Sequence, residues 1–164
     1  MTTTTSTKTS SAATSTAGVK DAIALLKADH ATVSDLFADY EKVRSDAKKK
    51  ALVAEICTEL SVHAQIEEEI FYPAVKAALK DKLLVPEATV EHAGVKELIA
   101  QLEGLEPDGE MYDAKVKVLS EYVKHHVKEE QNEMFPQASS SSLNLLELGA
   151  RMATRKADLL AARG

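Results

Sequence analysis

Four of the five histidines fall into two copies of one pattern. His30 stands 33 residues before His63, and His92 stands 34 residues before His126. The later histidine of each pair opens a His-x-x-x-Glu step, His63 to Glu67 and His126 to Glu130. Both steps run on to a proline ten residues past the histidine, Pro73 and Pro136. Residues four apart share one face of a helix, so each step directs an imidazole and a carboxylate the same way. Two such units facing each other converge four imidazoles and two carboxylates, which describes a two-metal site.

A single histidine on an apolar stripe is commonly a satisfied core residue. Two carboxylates on the same inward faces are different, because carboxylates are almost never fully buried without a partner. Burying Glu67 and Glu130 among four imidazoles calls for cations to offset the desolvation. Imidazole with carboxylate suits iron or manganese and is compatible with zinc. No thiolate is placed to help: Cys57 lies nearly two turns before His63 and reads as a small core residue. The Glu-x-x-His steps of ferritin-like bundles are absent, since Lys27, Leu60, Thr89, Tyr122 and Val123 stand three before the histidines. The His-Glu-x-x-His step of zinc proteases is absent as well.

The elements that must position these residues read as helices. A first helix over residues 19–43 carries Ile23, Leu26, His30, Val33, Phe37 and Tyr40 in steps of three and four. A second, capped by Ser45, carries Leu52, Ile56, Leu60, His63, Glu67 and Ile70, and Pro73 should bend or end it. Pro86-Glu87 suits the first turn of a third helix, with Ala88, His92, Val95, Ile99 and Leu102 as its stripe. After a Pro107-Asp108-Gly109 turn, with Asp108 as cap, a fourth carries Met111, Lys115, Leu119, Tyr122, His126 and Glu130. A last amphipathic segment over residues 143–161 would lay Leu146, Ala150, Ala153 and Leu159/Leu160 on the rest. The expected fold is all-α, an up-down-up-down four-helix bundle with an additional C-terminal helix. The organisation expected is a Thr/Ser-rich disordered tail over residues 1–18, the bundle over 19–138, and a linker and packed helix over 139–164.

The chain of 164 residues fits one domain with a real core of Leu, Val, Ile and Ala, given three Phe and no Trp. A net charge of −6 argues against a general nucleic-acid surface. No run reaches the ~18 apolar residues of a membrane span. The tail lacks the features of a secretory or transit signal, and the single cysteine permits a reducing compartment, so cytoplasmic residence is the default expectation. Lys48-Lys49-Lys50 reads as a solvated helix start.

His30, His63-Ala-Gln-Ile-Glu67, Glu91-His92 and His126-Val-Lys-Glu-Glu130 together resemble the hemerythrin-like, or HHE cation-binding, domain. Glu67-Glu68-Glu69-Ile70-Phe71-Tyr72-Pro73 and the Phe135-Pro136 ending are similar to that family too. The resemblance implies a non-haem di-iron site, with Glu67 and Glu130 bridging and His30, His63, His92 and His126 as terminal ligands. It departs from oxygen-carrying hemerythrins at Lys96, where those have a second histidine, and at Gln131, where they have an aspartate. Water, hydroxide, a tyrosine, Glu129 or Glu133 are the candidates for the coordination left over. The pattern is closer to bacterial hemerythrin-like proteins that react with hydrogen peroxide or nitric oxide, or handle iron.

The implied cofactor is two iron ions, with manganese or zinc less suited, and the implied ligand is a small oxidant or gas. Catalase-like removal of peroxide leads; the alternative is a non-catalytic module that binds oxygen, nitric oxide or iron for sensing, storage or delivery. His125, Tyr122 and Glu129 are candidate outer residues around the ligands. His125 points about 100° away from His126 and more readily faces solvent. Tyr40 and Tyr122 read first as core residues with one wet end. The C-terminal helix would cap the bundle or form a dimer contact.

Overall fold

A computed structural model of the protein describes residues 20–164. The tail expected over residues 1–18 lies outside the described residues. Two helical hairpins and one further helix make up the rest. The helix α1 (Ala22–Lys42) returns along α2 (Asp46–Ile66), which continues through a π turn at Glu67–Phe71 into α3 (Tyr72–Ala78). After a short loop, α4 (Leu84–Glu103) returns along α5 (Glu110–Glu129), which continues through a second π turn at Glu130–Met134 into α6 (Phe135–Ser139). Last comes α7 (Leu145–Arg163), packed on α1, α2 and the first π turn. The four-helix bundle with an added C-terminal helix is therefore the architecture. Among the described residues no helix is long and apolar enough to cross a membrane.

Local sequence explains the boundaries. The Asp21 carboxylate accepts from the Ala24 amide at 2.7 Å and caps α1, and the Ser45 hydroxyl accepts from Lys48 and caps α2. The fourth helix departs from expectation: Asp108 is not its cap. Gly109 holds that place with φ 151°, a conformation that suits glycine.

The prolines do more than end a helix. Proline lacks an N–H and its ring crowds the carbonyl four residues back, here that of Glu69 or Asn132. In both hairpins the turn before it has widened, so that Tyr72 donates its amide to Glu67 and Phe135 donates to Glu130, five residues back. One extra residue in the turn brings the residue five past each glutamate onto the inward face. Tyr72 and Phe135, the residues just before the prolines, are therefore buried at 3% and 2% exposure.

Two apolar clusters fill the bundle. One holds Leu26, Ile66, Phe71, Val75, Ala88, Met134 and Phe135 and is completed by Leu148 and Met152 of α7. The other holds Val33, Phe37, Ile56, Leu60, Val95, Leu102 and Leu119 at the opposite end. Every bundle helix changes from one cluster to the other at a predicted ligand: His30, His63, His92 or His126. The stripes expected on the first and third helices are buried throughout. On the fourth, the inward face is Tyr112, Val116 and Leu119, while Met111 and Tyr122 are 66% and 50% exposed. On α7 the buried residues are Leu148, Gly149 and Met152, and Leu146 faces outward. Both shifts are one step around the helix.

Candidate metal centre

The six residues singled out by the repeat meet in the layer between the two clusters. His30, His63, His92 and His126 are 4–8% exposed, Glu130 is 2% exposed and Glu67 is fully buried. They form two groups, His30 with His63 and Glu130, and His92 with His126 and Glu67, each bringing three ligand atoms within 4.8 Å of one another. Each carboxylate reaches both groups. Glu67 Oε1 lies 3.0 Å from His63 Nε2 and 3.3 Å from His92 Nε2. Glu130 Oε1 lies 3.1 Å from His126 Nε2 and 3.3 Å from His30 Nε2.

These approaches are close but badly directed for hydrogen bonds. His30 Nε2, His63 Nε2, both Glu67 oxygens and Glu130 Oε1 are buried without a hydrogen-bond partner. Orphaned buried polar atoms are rare, and here they cluster at one depth and face one another. Four imidazole nitrogens and two carboxylates are donors for first-row transition ions. The residues fit two metal ions.

A ring of outer residues fixes the imidazoles. His63 Nδ1 donates to Asp29 Oδ2 at 2.9 Å, and His126 Nδ1 donates to Glu91 Oε1 at 2.9 Å. Each acid immediately precedes the upstream histidine of its own hairpin. With Nδ1 so engaged, Nε2 keeps its lone pair for a metal. The upstream histidines are held more loosely. Gln131 Nε2 lies 3.2 Å from His30 Nδ1, and Glu68 Oε2 stays 3.7 Å from His92 Nδ1 because Lys96 Nζ holds its carboxylate at 2.6 and 2.8 Å.

Tyr72 was not among the predicted site residues, yet its hydroxyl reaches the centre. Tyr72 Oη donates to Glu130 Oε2 at 3.1 Å and lies 3.1 Å from His92 Nε2 and 3.2 Å from His126 Nε2. The helical period hides it; the proline after it was the available signal. Phe135, its counterpart, stacks on His30 at 5.9 Å and 6°. The other candidates lie outside. His125, with its side chain 65% exposed, pairs with Glu129 at 3.1 Å and with Glu91 at 3.3 Å, so it touches His126 only through Glu91. Tyr122 is half-exposed on the outer face of α5, its ring beside Gly94. Glu133 is exposed. Tyr40, 7% exposed, donates to Asp113 at 2.6 Å from the far cluster, and Cys57 is buried there with its thiol pushed up to about 11 by burial.

The electrostatics follow from burial and proximity. Burial opposes an imidazolium at His63, but the Glu67 charge and the hydrogen bond to Asp29 carry its pKa well above the ordinary value. At His126 burial is likewise outweighed, by Glu130 first, and the pKa rises to about 9. Burial would raise Glu67, yet the His63 charge holds it well below the carboxylate range. Burial and both glutamates push the Tyr72 hydroxyl well above its ordinary value. In the metal-free chain His63 and His126 favour their protonated forms, and metal ligation would displace those protons.

Beside the imidazoles, towards the second cluster, lies a cavity of about 30 Å³ lined by His30, Val33, Leu60, Val95, Val123 and His126 among others. That is room for about one water-sized molecule.

The hemerythrin HHE cation binding domain profile matches residues 21–138. A hemerythrin HHE cation binding domain-containing protein from Mycobacterium kansasii has the same fold, with a TM-score of 0.77 over 87% of this chain and 89% of that one, at 24% identity. A curated relative, a DNA nickase from Nostoc sp., is 26% identical over 111 residues. The match spans 68% of this chain and 31% of that protein, so the chain covers about a third of its length. The profile takes in both hairpins, both π turns and all six converging donors, and the chain belongs to the hemerythrin HHE cation-binding domain family.

Proposed function

We propose that the protein holds two iron ions in this layer and reacts there with small oxidants, hydrogen peroxide, oxygen or nitric oxide, with catalase-like peroxide removal as its main activity. The observation that carries the reading is the cluster of orphaned donors beside a small cavity with room for about one water-sized molecule. In this reading His30 and His63 would hold one ion and His92 and His126 the other, with Glu67 and Glu130, which each approach both histidine pairs, as carboxylate ligands. Tyr72 supplies the donor that a further histidine would have given, since its hydroxyl touches His92, His126 and Glu130. Iron suits the proposed reaction better than zinc because that reaction needs a metal that changes oxidation state, which zinc does not.

The iron pair, when bound, supplies the redox chemistry: one peroxide is oxidised to oxygen while a second is reduced to two waters. The protein's own groups orient and exclude. Asp29 and Glu91 fix the ring orientation of His63 and His126. The apolar wall of Val33, Leu60, Val95 and Val123 keeps bulk water and larger substrates away from the imidazoles. Tyr72 holds its proton at Oη until a cation replaces the protons of the layer. A net charge of −6 gives no support for carrying a DNA-directed activity over to this chain.

Purified protein grown with iron should contain about two irons per chain, the number this ligand set accommodates, and should release oxygen from hydrogen peroxide. Glu67→Ala should lower iron content and turnover together. If both stay at wild-type levels, this reading is wrong. Reversible spectral change on exposure to oxygen or nitric oxide, with peroxide inert, would make the protein a binding module instead.

A further inference from the structure

The last helix reaches the centre through one lysine. Lys156 Nζ lies 2.5 Å from Asp29 Oδ1, and the other oxygen of Asp29 accepts from His63 Nδ1 at 2.9 Å. Asp29 is 4% exposed, so it must have partners for both oxygens, and one of them comes from α7. The Glu91 carboxylate at the other end of the centre differs: its second oxygen meets His125 of α5, an exposed side chain of the same hairpin. Among the described residues, the His30/His63 side alone borrows a group from outside the four-helix unit.

The grip of α7 falls on that same side. Met152 is fully buried in the cluster under His30, and Arg155 forks onto Glu69 of the first π turn at 2.7 and 3.2 Å. Gly149 lets α7 press against the start of α1, where a Cβ would sit 2.3 Å from the Lys20 carbonyl oxygen. The residues α7 touches, Asp29 and Glu69, stand next to His30 and two residues past Glu67.

We propose that α7 is a latch on the His30/His63 metal position, with Lys156 and Asp29 as positioning residues. Lys156 locks Asp29, Asp29 sets the ring of His63, and His63 then presents Nε2 to the ion. Docking of α7 and occupancy of that position are coupled, and the coupling acts in both directions. This rests on the two-metal reading above.

The test uses the full chain loaded with iron and challenged by a ferrous chelator under reducing conditions, reading the iron left per chain against time. Lys156→Met should release one of the two irons about tenfold faster or more, the usual effect of losing an outer partner, while the other leaves at its wild-type rate. Lys156→Arg should restore retention. Arg155→Met, which loosens α7 at Glu69 without touching Asp29, should speed release of that same iron to a smaller degree and leave the other at its wild-type rate, whereas general loosening would speed both. Hydrogen exchange across α7 should be slower in the iron-loaded than in the metal-free chain, and that difference should shrink in Lys156→Met. Wild-type release of both irons from Lys156→Met, or exchange in α7 that ignores iron, overturns the latch alone. A wild-type chain that takes up no iron overturns the two-metal reading and the latch with it.

Discussion

The two hairpins place the same four features in the same order, an upstream histidine, a His-x-x-x-Glu step, a π turn and a proline, yet they surround their imidazoles differently. After the first π turn stands Tyr72, whose hydroxyl enters the centre; after the second stands Phe135, which offers only a ring face to His30. Asp29 is tied to a lysine from α7, whereas Glu91 is shared with the exposed His125. Backbone and inner donors match between the hairpins while the supporting residues differ. In the proposed two-metal reading the two positions thus have equal ligand counts but different neighbours: Phe135 gives the His30/His63 side no added donor, and the Tyr72 hydroxyl enters the other.

The largest test of that asymmetry is Tyr72→Phe, which makes the first hairpin match the second. It should weaken the hold on the His92/His126 iron by at least about tenfold and remove any visible absorption from a tyrosine bound to iron, leaving the His30/His63 iron in place. Iron content and visible spectrum unchanged from wild type would make the two sides equivalent.

A smaller effect comes from pH. His126 in the metal-free chain has its pKa raised from 6.5 to about 9. A raised folded-state value means its contribution to stability is complete below the unfolded value of 6.5 and is lost as pH climbs through about 9. Urea midpoints of the metal-free protein should therefore fall between those values. Iron-loaded protein should not follow, because ligation needs the deprotonated imidazole. Parallel pH curves with and without iron would contradict the exchange of protons for metal.

Smallest of all should be Lys96→Ala. Lys96 holds Glu68 at the surface, an ion pair worth no more than about 1 kcal/mol. Its loss frees Glu68 to close the 3.7 Å gap to His92 Nδ1. Iron should be kept as well as before or better, with little change in denaturant midpoint. A clear drop in iron retention would mean that Lys96 supports the centre directly.

Much of this was legible in the sequence. The repeat alone named all six converging donors, because a histidine and a glutamate four apart obey ordinary helix geometry and carboxylates on an inward face need a reason. Tyr72 escaped because it lies five residues past Glu67, a separation that points away in an α-helix and inward only across a π turn. Asp29 carried a signal that went unused and Glu91 entered only as part of the family motif, although an acid directly precedes the upstream histidine in both hairpins. Lys156 carried none, being 127 residues from Asp29 and joined to it only by the docking of α7. The inward face at the start of the fourth helix was misplaced by one residue, since Met111 and Tyr112 are both large enough to fill a core position and only packing into the second apolar cluster selects Tyr112.

The layer of charge between the two apolar clusters has a consequence for how the protein can change. Each bundle helix passes its donor at mid-length, and the clusters above and below contain different side chains. Leucines and valines at either end can drift in identity, so long as volume is kept, without shifting a donor atom. The chain thus carries two halves of its stability on either side of one layer of donors, and substitutions in either cluster could harden or soften the molecule while that layer stayed the same.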